Sequence, residues 1–166
     1  MYELYKKGTD MKQVVRIEME NGDVIRAELY PDVAPNTVAN FVKLVEEGFF
    51  DGTIFHRVIP GFMIQGGEGI NGKRADAIKG EFTSNGFQND LKHERGVLSM
   101  ARTMVPDSAS SQFFIMVADS PHLDGEYAGF GKVIEGIEAA DTIVNVKRDP
   151  MDKPLEEQKM KKVTME

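Results

Sequence analysis

The residue with the clearest chemical potential is Arg57, which lies in an apolar segment that runs from Phe55 to Gly67. If this segment forms two strands, alternation places Phe55 and Arg57 on one face of the first strand, and Met63 and Gln65 on one face of the second. An arginine stays protonated at neutral pH and presents several N–H donors in a rigid fork. The pattern indicates a hydrogen-bond donor held beside apolar side chains, or alternatively an arginine whose stem covers the rim of a sheet.

Two further segments join polar turns to apolar residues. Residues 110–116 run from Ser-Ser-Gln into Phe113 and Phe114, and residues 122–127 form a turn that ends at Tyr127. Alternation along a strand puts Phe114 on the side of a possible pocket and Phe113 in the core. A core strand alone would explain both phenylalanines, so neither segment identifies a site by itself.

The composition limits the chain to one domain and excludes several kinds of chemistry. Its 166 residues, 41% of them hydrophobic, suit a single domain with its own core. The absence of cysteine excludes disulfides and thiolate catalysis and suits a reducing compartment. The net charge of −7 opposes binding to nucleic acid and to anionic membranes. The first residues are polar and lack the apolar stretch of a signal peptide, so we expect a cytoplasmic protein.

Short apolar runs separated by turn residues dominate the chain. The Asn21-Gly22 pair between the first two runs is the strongest short-range signal for a β-hairpin. In the second run Ile25, Ala27 and Leu29 alternate with charged residues, as in a strand with one buried face. The pattern predicts eight strands at residues 14–19, 24–29, 54–58, 63–66, 97–101, 113–117, 129–133 and 161–165.

Two segments have helical periodicity instead. Pro35 opens the first, and Gly48 stands where its C-terminal cap belongs. The second covers residues 136–144. Two amphipathic helices need a surface to cover, and the open ends of a small barrel provide one. We therefore predict a mainly β fold, an eight-stranded antiparallel closed barrel capped by two α-helices. It would comprise residues 14–166, after an N-terminal extension of residues 1–13.

Five segments occur together in the order and near the spacing of the cyclophilin family. They are Ala34-Pro35 with Thr37 and Asn40-Phe41, FHRVIPGFMIQGG from Phe55, GVLSMAR from Gly96, SQFFI from Ser111, and HLDG from His122 followed by FGKV. The chain from Val14 onward thus resembles a cyclophilin-type peptidyl-prolyl cis/trans isomerase. The resemblance implies the same barrel with two helices and an enzyme that accelerates rotation about X-Pro bonds in peptides and folding proteins. It implies no cofactor and no metal.

The resemblance also implies roles for individual residues. Arg57 corresponds to the catalytic arginine, which hydrogen-bonds the twisted amide. Gln65 corresponds to the glutamine that orients the arginine and bonds the substrate backbone. Gln112 corresponds to a contact in the neighbouring pocket. The other implied substrate-binding residues are the proline-pocket walls Phe62, Met63, Phe114 and Leu123, the strand-edge residues Ala101 and Arg102, and Tyr127 and His122.

The chain departs from familiar members at some of these positions. His122 stands in place of a tryptophan that helps to bind cyclosporin-type inhibitors, so we expect weak cyclosporin binding with isomerase activity kept. Tyr127 replaces a histidine, with a modest effect expected on turnover, and Arg102 replaces an asparagine used through its backbone. Ser110 replaces a glycine, and residues 68–79 lack the familiar glycine-rich form. Together these differences resemble prokaryotic members more than eukaryotic cytosolic ones.

Two other functions stay open on the sequence. A proline-binding module without catalysis would share the fold, but loss of the arginine would be its simplest mark and Arg57 is present. A barrel that holds a small apolar ligand needs an empty interior, whereas the side chains expected inside are bulky. His56, His93 and His122 lack metal-ligand spacing and are interpreted as surface or loop residues. The expected partners are proline-containing peptides and unfolded or nascent proteins, and we expect a monomer.

Overall fold

The computed structural model describes residues 13–166, in which eight antiparallel strands form one sheet. The strands are β1 (Gln13–Met19), β2 (Val24–Leu29), β3 (Phe55–Ile59), β4 (Met63–Gly66), β5 (Val97–Met100), β6 (Phe113–Met116), β7 (Gly129–Glu135) and β8 (Met160–Met165). They lie in the order β3-β4-β6-β5-β7-β2-β1-β8. The rest of the predicted N-terminal extension lies outside the described residues; Gln13, its last residue, begins β1.

The predicted mainly β fold with eight antiparallel strands and two helices is confirmed, but the sheet is curled rather than continuously closed. Its edge strands β3 and β8 form no ladder with each other. A bridge joins Ile54 to Lys159, the residues just before the two strands. Here the Phe55 amide donates to the Gln158 carbonyl at 2.9 Å and the Met160 amide to the Thr53 carbonyl at 2.8 Å. Full closure would need a regular hydrogen-bond register along this seam.

The two helices cover the curled sheet and complete its core. Helix α1 spans Pro35–Glu46 and helix α2 spans Ile137–Val144. Proline at the start of α1 has no amide hydrogen to leave unsatisfied, which favours that position. Phe41 of α1 packs against Phe50, Phe113 and Phe130, with ring centroids between 5.1 and 5.3 Å apart. Among the described residues the interior is therefore filled by aromatic and aliphatic side chains, unlike the empty interior that a carrier barrel needs.

The long segment between β4 and β5 is irregular but anchored. The buried carboxylate of Glu81 accepts hydrogen bonds from the Thr37 amide and hydroxyl, both at 2.7 Å, and from the Asn36 amide at 3.2 Å. These donors form the first turn of α1, where amides lack partners within the helix. Phe82, which follows directly, is 2% exposed. The segment is thus fixed to the body of the protein at its middle.

No helix among the described residues is long and apolar enough to cross a membrane.

Candidate functional site

A β-bulge in β3 separates Arg57 from the core. In the pairing of β3 with β4, Phe55 lies opposite Gly66 and Arg57 opposite Gln65, so one residue of β3 is extra. An extra residue reverses the alternation of side chains at that point. Phe55 is buried in the main core and Arg57 faces an open pocket. The expectation that these two side chains share a face is wrong, because alternation holds only while the register is regular.

The pocket lies beside the second, smaller apolar cluster of the molecule. Met63, Phe114 and Leu123 belong to this cluster, with Phe62 and Tyr127 packed against it. The Phe114 and Tyr127 rings meet edge to face with centroids 5.7 Å apart. Nine of the sequence-predicted site residues line the pocket, namely Arg57, Phe62, Met63, Gln65, Ala101, Arg102, Phe114, Leu123 and Tyr127. The pocket therefore has apolar side chains in its floor and two arginines, Arg57 and Arg102, among its lining residues.

The other two predicted site residues lie outside this pocket. Gln112 lines a neighbouring pocket with Thr103, Ser108 and Ser110. His122 is exposed, and its ring is tilted against Phe62 with centroids 5.9 Å apart. The structure therefore brings nine of the predicted residues together around one pocket. Gln112 lies in the neighbouring pocket and His122 lies at the rim.

A chain of side-chain hydrogen bonds joins Arg57 to the neighbouring pocket. The Arg57 guanidinium donates to Gln65 Oε1 at 3.4 Å, and Gln65 Nε2 donates to Gln112 Oε1 at 3.0 Å. Gln112 Nε2 in turn donates to Glu68 Oε1 at 3.3 Å. Each amide uses its oxygen as acceptor and its nitrogen as donor, so the carboxylate of Glu68 sets the orientation of both amides. The arrangement directs the Gln65 oxygen toward Arg57.

A buried histidine behind the pocket was missed by the sequence analysis. His93 lies in the loop before β5 but is 1% exposed, so the loop part of its interpretation is right and the surface part is wrong. Its Nδ1 lies 3.2 Å from Asp124 Oδ1 and its Nε2 lies 2.8 Å from the Ser99 hydroxyl. A carboxylate only accepts, so Nδ1 carries the proton and Nε2 accepts from Ser99. The ring stacks on Phe114 at 6.1 Å.

This Ser–His–Asp chain is not a nucleophilic site. Ser99 is 0% exposed, so no substrate carbonyl reaches its hydroxyl. Instead the chain connects β5 to Asp124, the neighbour of the pocket residue Leu123. The contact between His93 and Asp124 is hard to predict from sequence, because the two residues lie 31 positions apart.

Burial makes His93 a source of acid sensitivity. Desolvation lowers the pKa of His93 below its ordinary value, and the hydrogen bond to Asp124 opposes this only in part. In the unfolded chain the ring takes up a proton near pH 6.5. As the pH falls below that value, the unfolded state binds a proton that the folded state does not. Protonation then favours the unfolded state, and the free energy of unfolding falls.

We expect the free energy of unfolding to fall as the pH is lowered below about 6.5, and to fall less steeply in His93→Gln. Urea denaturation at a series of pH values measures both slopes. Burial also lowers the pKa of His56, so this residue makes the free energy of unfolding depend on pH in the same direction. His56→Gln is therefore the matched control and measures the part of the slope that is due to His56. An identical slope in wild type and His93→Gln would contradict the assignment.

Within residues 13–166, no group of three or more histidine, aspartate or glutamate side chains is placed to hold a metal ion.

Comparison with known sequences identifies the family. The model of the cyclophilin type peptidyl-prolyl cis-trans isomerase family matches residues 14–165. A peptidyl-prolyl cis-trans isomerase of Arabidopsis thaliana is 43% identical over 153 residues, which cover 91% of this chain and 94% of that protein. Peptidyl-prolyl cis-trans isomerase B of Bacillus subtilis is 48% identical over 131 residues, covering 76% and 87% of the two chains.

Solved structures agree with the sequence comparison. A cyclophilin-type peptidyl-prolyl cis-trans isomerase of Cryptosporidium parvum superposes with a TM-score of 0.80 at 35% identity, covering 94% of this chain and 98% of that one. The structure of the same protein in the presence of the dipeptide Ala-Pro gives a TM-score of 0.79 and covers 92% and 98%. The chain therefore belongs to the family of cyclophilin-type peptidyl-prolyl cis-trans isomerases and is an enzyme of that activity.

Proposed function

We propose that the enzyme accelerates rotation about X-Pro bonds by holding the prolyl ring in the pocket while Arg57 hydrogen-bonds the twisted amide. In the planar amide the prolyl nitrogen shares its lone pair with the carbonyl. Twisting the bond localises that lone pair on the nitrogen, so a guanidinium donates to it more strongly than in the planar ground state. Binding that is stronger in the transition state than in the ground state lowers the barrier.

The size of the effect fits this small set of groups. The uncatalysed barrier is about 18–20 kcal/mol. A turnover on the order of 10³ s⁻¹ corresponds to a barrier of about 13–14 kcal/mol, so the site must remove roughly 6 kcal/mol. One preorganised donor supplies about 3–4 kcal/mol. The remainder is assigned to the apolar pocket, which fixes the ring while the acyl side of the bond turns.

Gln65 has the supporting role in this mechanism. Its Oε1 accepts from the Arg57 guanidinium, and its own orientation is set through Gln112 and Glu68. The guanidinium is thereby directed toward the pocket before substrate arrives. Donors oriented in advance cost less reorganisation during the reaction. Ala101 and Arg102, which directly follow β5, are proposed to bind the substrate backbone.

The observation that carries the proposal is the position of Arg57 at the edge of an apolar pocket lined by Phe62, Met63, Phe114 and Leu123. The test is NMR exchange spectroscopy on a short peptide containing Ala-Pro, with and without catalytic amounts of protein. We expect cis/trans exchange far above the spontaneous rate, which is slow, taking tens to hundreds of seconds. Binding of the peptide without acceleration would instead establish a proline-binding module.

The biological setting is proposed from composition. A chain without cysteine suits a reducing compartment, and we propose a cytoplasmic location with unfolded or nascent proteins as clients. We propose that the protein acts as a monomer.

We expect weak inhibition by cyclosporin, because His122 occupies the rim position implied to bind such inhibitors. The imidazole offers less apolar surface than an indole and packs against Phe62 rather than over the pocket. Titration of the inhibitor into the exchange assay measures this, and nanomolar inhibition would contradict it. Retained activity is expected, since His122 does not line the pocket of Arg57.

A further inference from the structure

The side chain of Arg102 is held between two aromatic rings. Its guanidinium carbon lies 4.6 Å from the centroid of the Phe82 ring and 4.7 Å from that of Tyr127. A cation at this distance over an aromatic face is attracted by the ring quadrupole, and arginine can stack on both sides because its guanidinium is planar. The guanidinium thus connects the irregular segment before β5 to the wall of the pocket.

Backbone carbonyls hold the same guanidinium in place. Nε and Nη2 both donate to the carbonyl oxygen of Glu126, at 3.2 and 2.7 Å, and Nη1 donates to the Thr103 carbonyl at 3.0 Å. We call Phe82, Arg102, Tyr127 and the Glu126 carbonyl the Arg102 clamp. Because Phe82 is buried and its segment is anchored to α1 through Glu81, one side of the clamp is rigid. The clamp therefore restrains Tyr127 relative to the body of the protein.

Tyr127 is the wall of the pocket that depends most on this restraint. Phe114 and Leu123 are buried, whereas Tyr127 is half-buried at the mouth. Its ring meets Phe114 edge to face, so any movement of the ring away from Phe114 widens the pocket. Two departures noted in the sequence, Arg102 and Tyr127, are thus in direct contact and act as one unit.

We propose that the Arg102 clamp determines the ring-size selectivity of the pocket, by holding Tyr127 against Phe114 so that a five-membered imino-acid ring fits and a six-membered ring fits poorly. This inference rests on the proposed function in assigning the pocket to the prolyl ring. Arg102 is a positioning residue here: its side chain acts through Tyr127.

The test compares two peptides that differ only in proline or its six-membered analogue, pipecolic acid. The ratio of their kcat/KM values is measured for wild type, Arg102→Lys and Arg102→Ala. Lysine keeps the charge but loses the planar fork, so it neither stacks on both rings nor bonds the Glu126 carbonyl twice. We expect the selectivity for proline to fall about three- to tenfold in both variants, the change expected from losing partly exposed cation–π contacts.

A double-mutant cycle separates the clamp from general damage. If Arg102 acts through Tyr127, Arg102→Lys changes the selectivity much less when Tyr127→Ala is already present. Arg148→Ala, which removes a surface arginine paired with Asp152, is the matched control and is expected to leave the ratio unchanged. An unchanged ratio in both Arg102 variants would overturn the proposal, even if kcat/KM fell by the same factor for the two peptides.

The same two peptides distinguish failure of the clamp from failure of the proposed function. If the wild type binds but does not isomerise, the ratio of dissociation constants from NMR titration replaces the ratio of kcat/KM. A selectivity for proline that falls in Arg102→Lys would then support the clamp although the catalytic proposal had failed. Equal dissociation constants for both peptides in the wild type would overturn the clamp.

Discussion

Replacement of Arg57 by alanine is expected to lower kcat/KM for an X-Pro peptide by roughly a hundredfold or more, which corresponds to about 2.7 kcal/mol or more for one preorganised donor. The loss should be in kcat rather than in KM, because the hydrogen bond strengthens only as the amide twists. Exchange spectroscopy at several peptide concentrations separates the two constants. The fold should survive, since Arg57 is exposed and lies outside the core.

Arg57→Lys and Arg148→Ala are the comparisons that make this result specific. Lysine keeps the positive charge but presents a flexible point donor, so we expect only partial recovery of kcat. Arg148→Ala removes the same charge from a surface pair that does not line the pocket, and it should change nothing. Turnover within a few-fold of wild type in Arg57→Ala would show that the pocket alone lowers the barrier.

The neighbouring residues Phe113 and Phe114 are expected to fail in different ways when each is replaced by alanine. Phe113 is 0% exposed and contacts Phe41, Phe50 and Phe55 in the main core. Phe113→Ala should cost about 3–5 kcal/mol of stability. At about 2–4 °C for each kcal/mol in a chain of this size, the melting temperature should fall by about 6–20 °C. Its activity at low temperature should stay measurable.

Phe114→Ala should affect catalysis more than stability. Its ring belongs to the smaller cluster and forms part of the pocket floor, so the prolyl ring loses its main apolar contact. We expect a higher KM and a lower kcat, with a smaller thermal shift than in Phe113→Ala. Differential scanning calorimetry and exchange spectroscopy on the two variants together test the division. Similar thermal shifts with equal losses of activity would contradict it.

Much of the fold follows from local sequence pattern. The hairpin predicted at Asn21-Gly22 joins β1 and β2, and proline begins α1 as expected. Alternation also separates Phe113 from Phe114 as predicted, because β6 pairs regularly with both of its neighbours. These features depend on residues only a few positions apart, and such interactions can be inferred from sequence spacing.

The site was identified by motif, and nine of its predicted residues lie around one pocket. The orientation of Arg57 was not predictable from its own strand. It depends on a bulge, and a bulge exists only through the register with a partner strand. Likewise, the series of side-chain hydrogen bonds from Arg57 to Glu68 depends on the amides of Gln65 in β4 and of Gln112, the residue before β6.

The sequence by itself determined the strand and helix pattern, the family and the catalytic candidate. The tertiary structure alone decided that a bridge joins the residues just before β3 and β8, that His93 is buried between Ser99 and Asp124, and that Arg102 lies between Phe82 and Tyr127. In each case the partners are distant along the chain. Such residues become buried, stack and form hydrogen bonds only when the fold brings them together. Local periodicity in the sequence therefore does not predict these contacts.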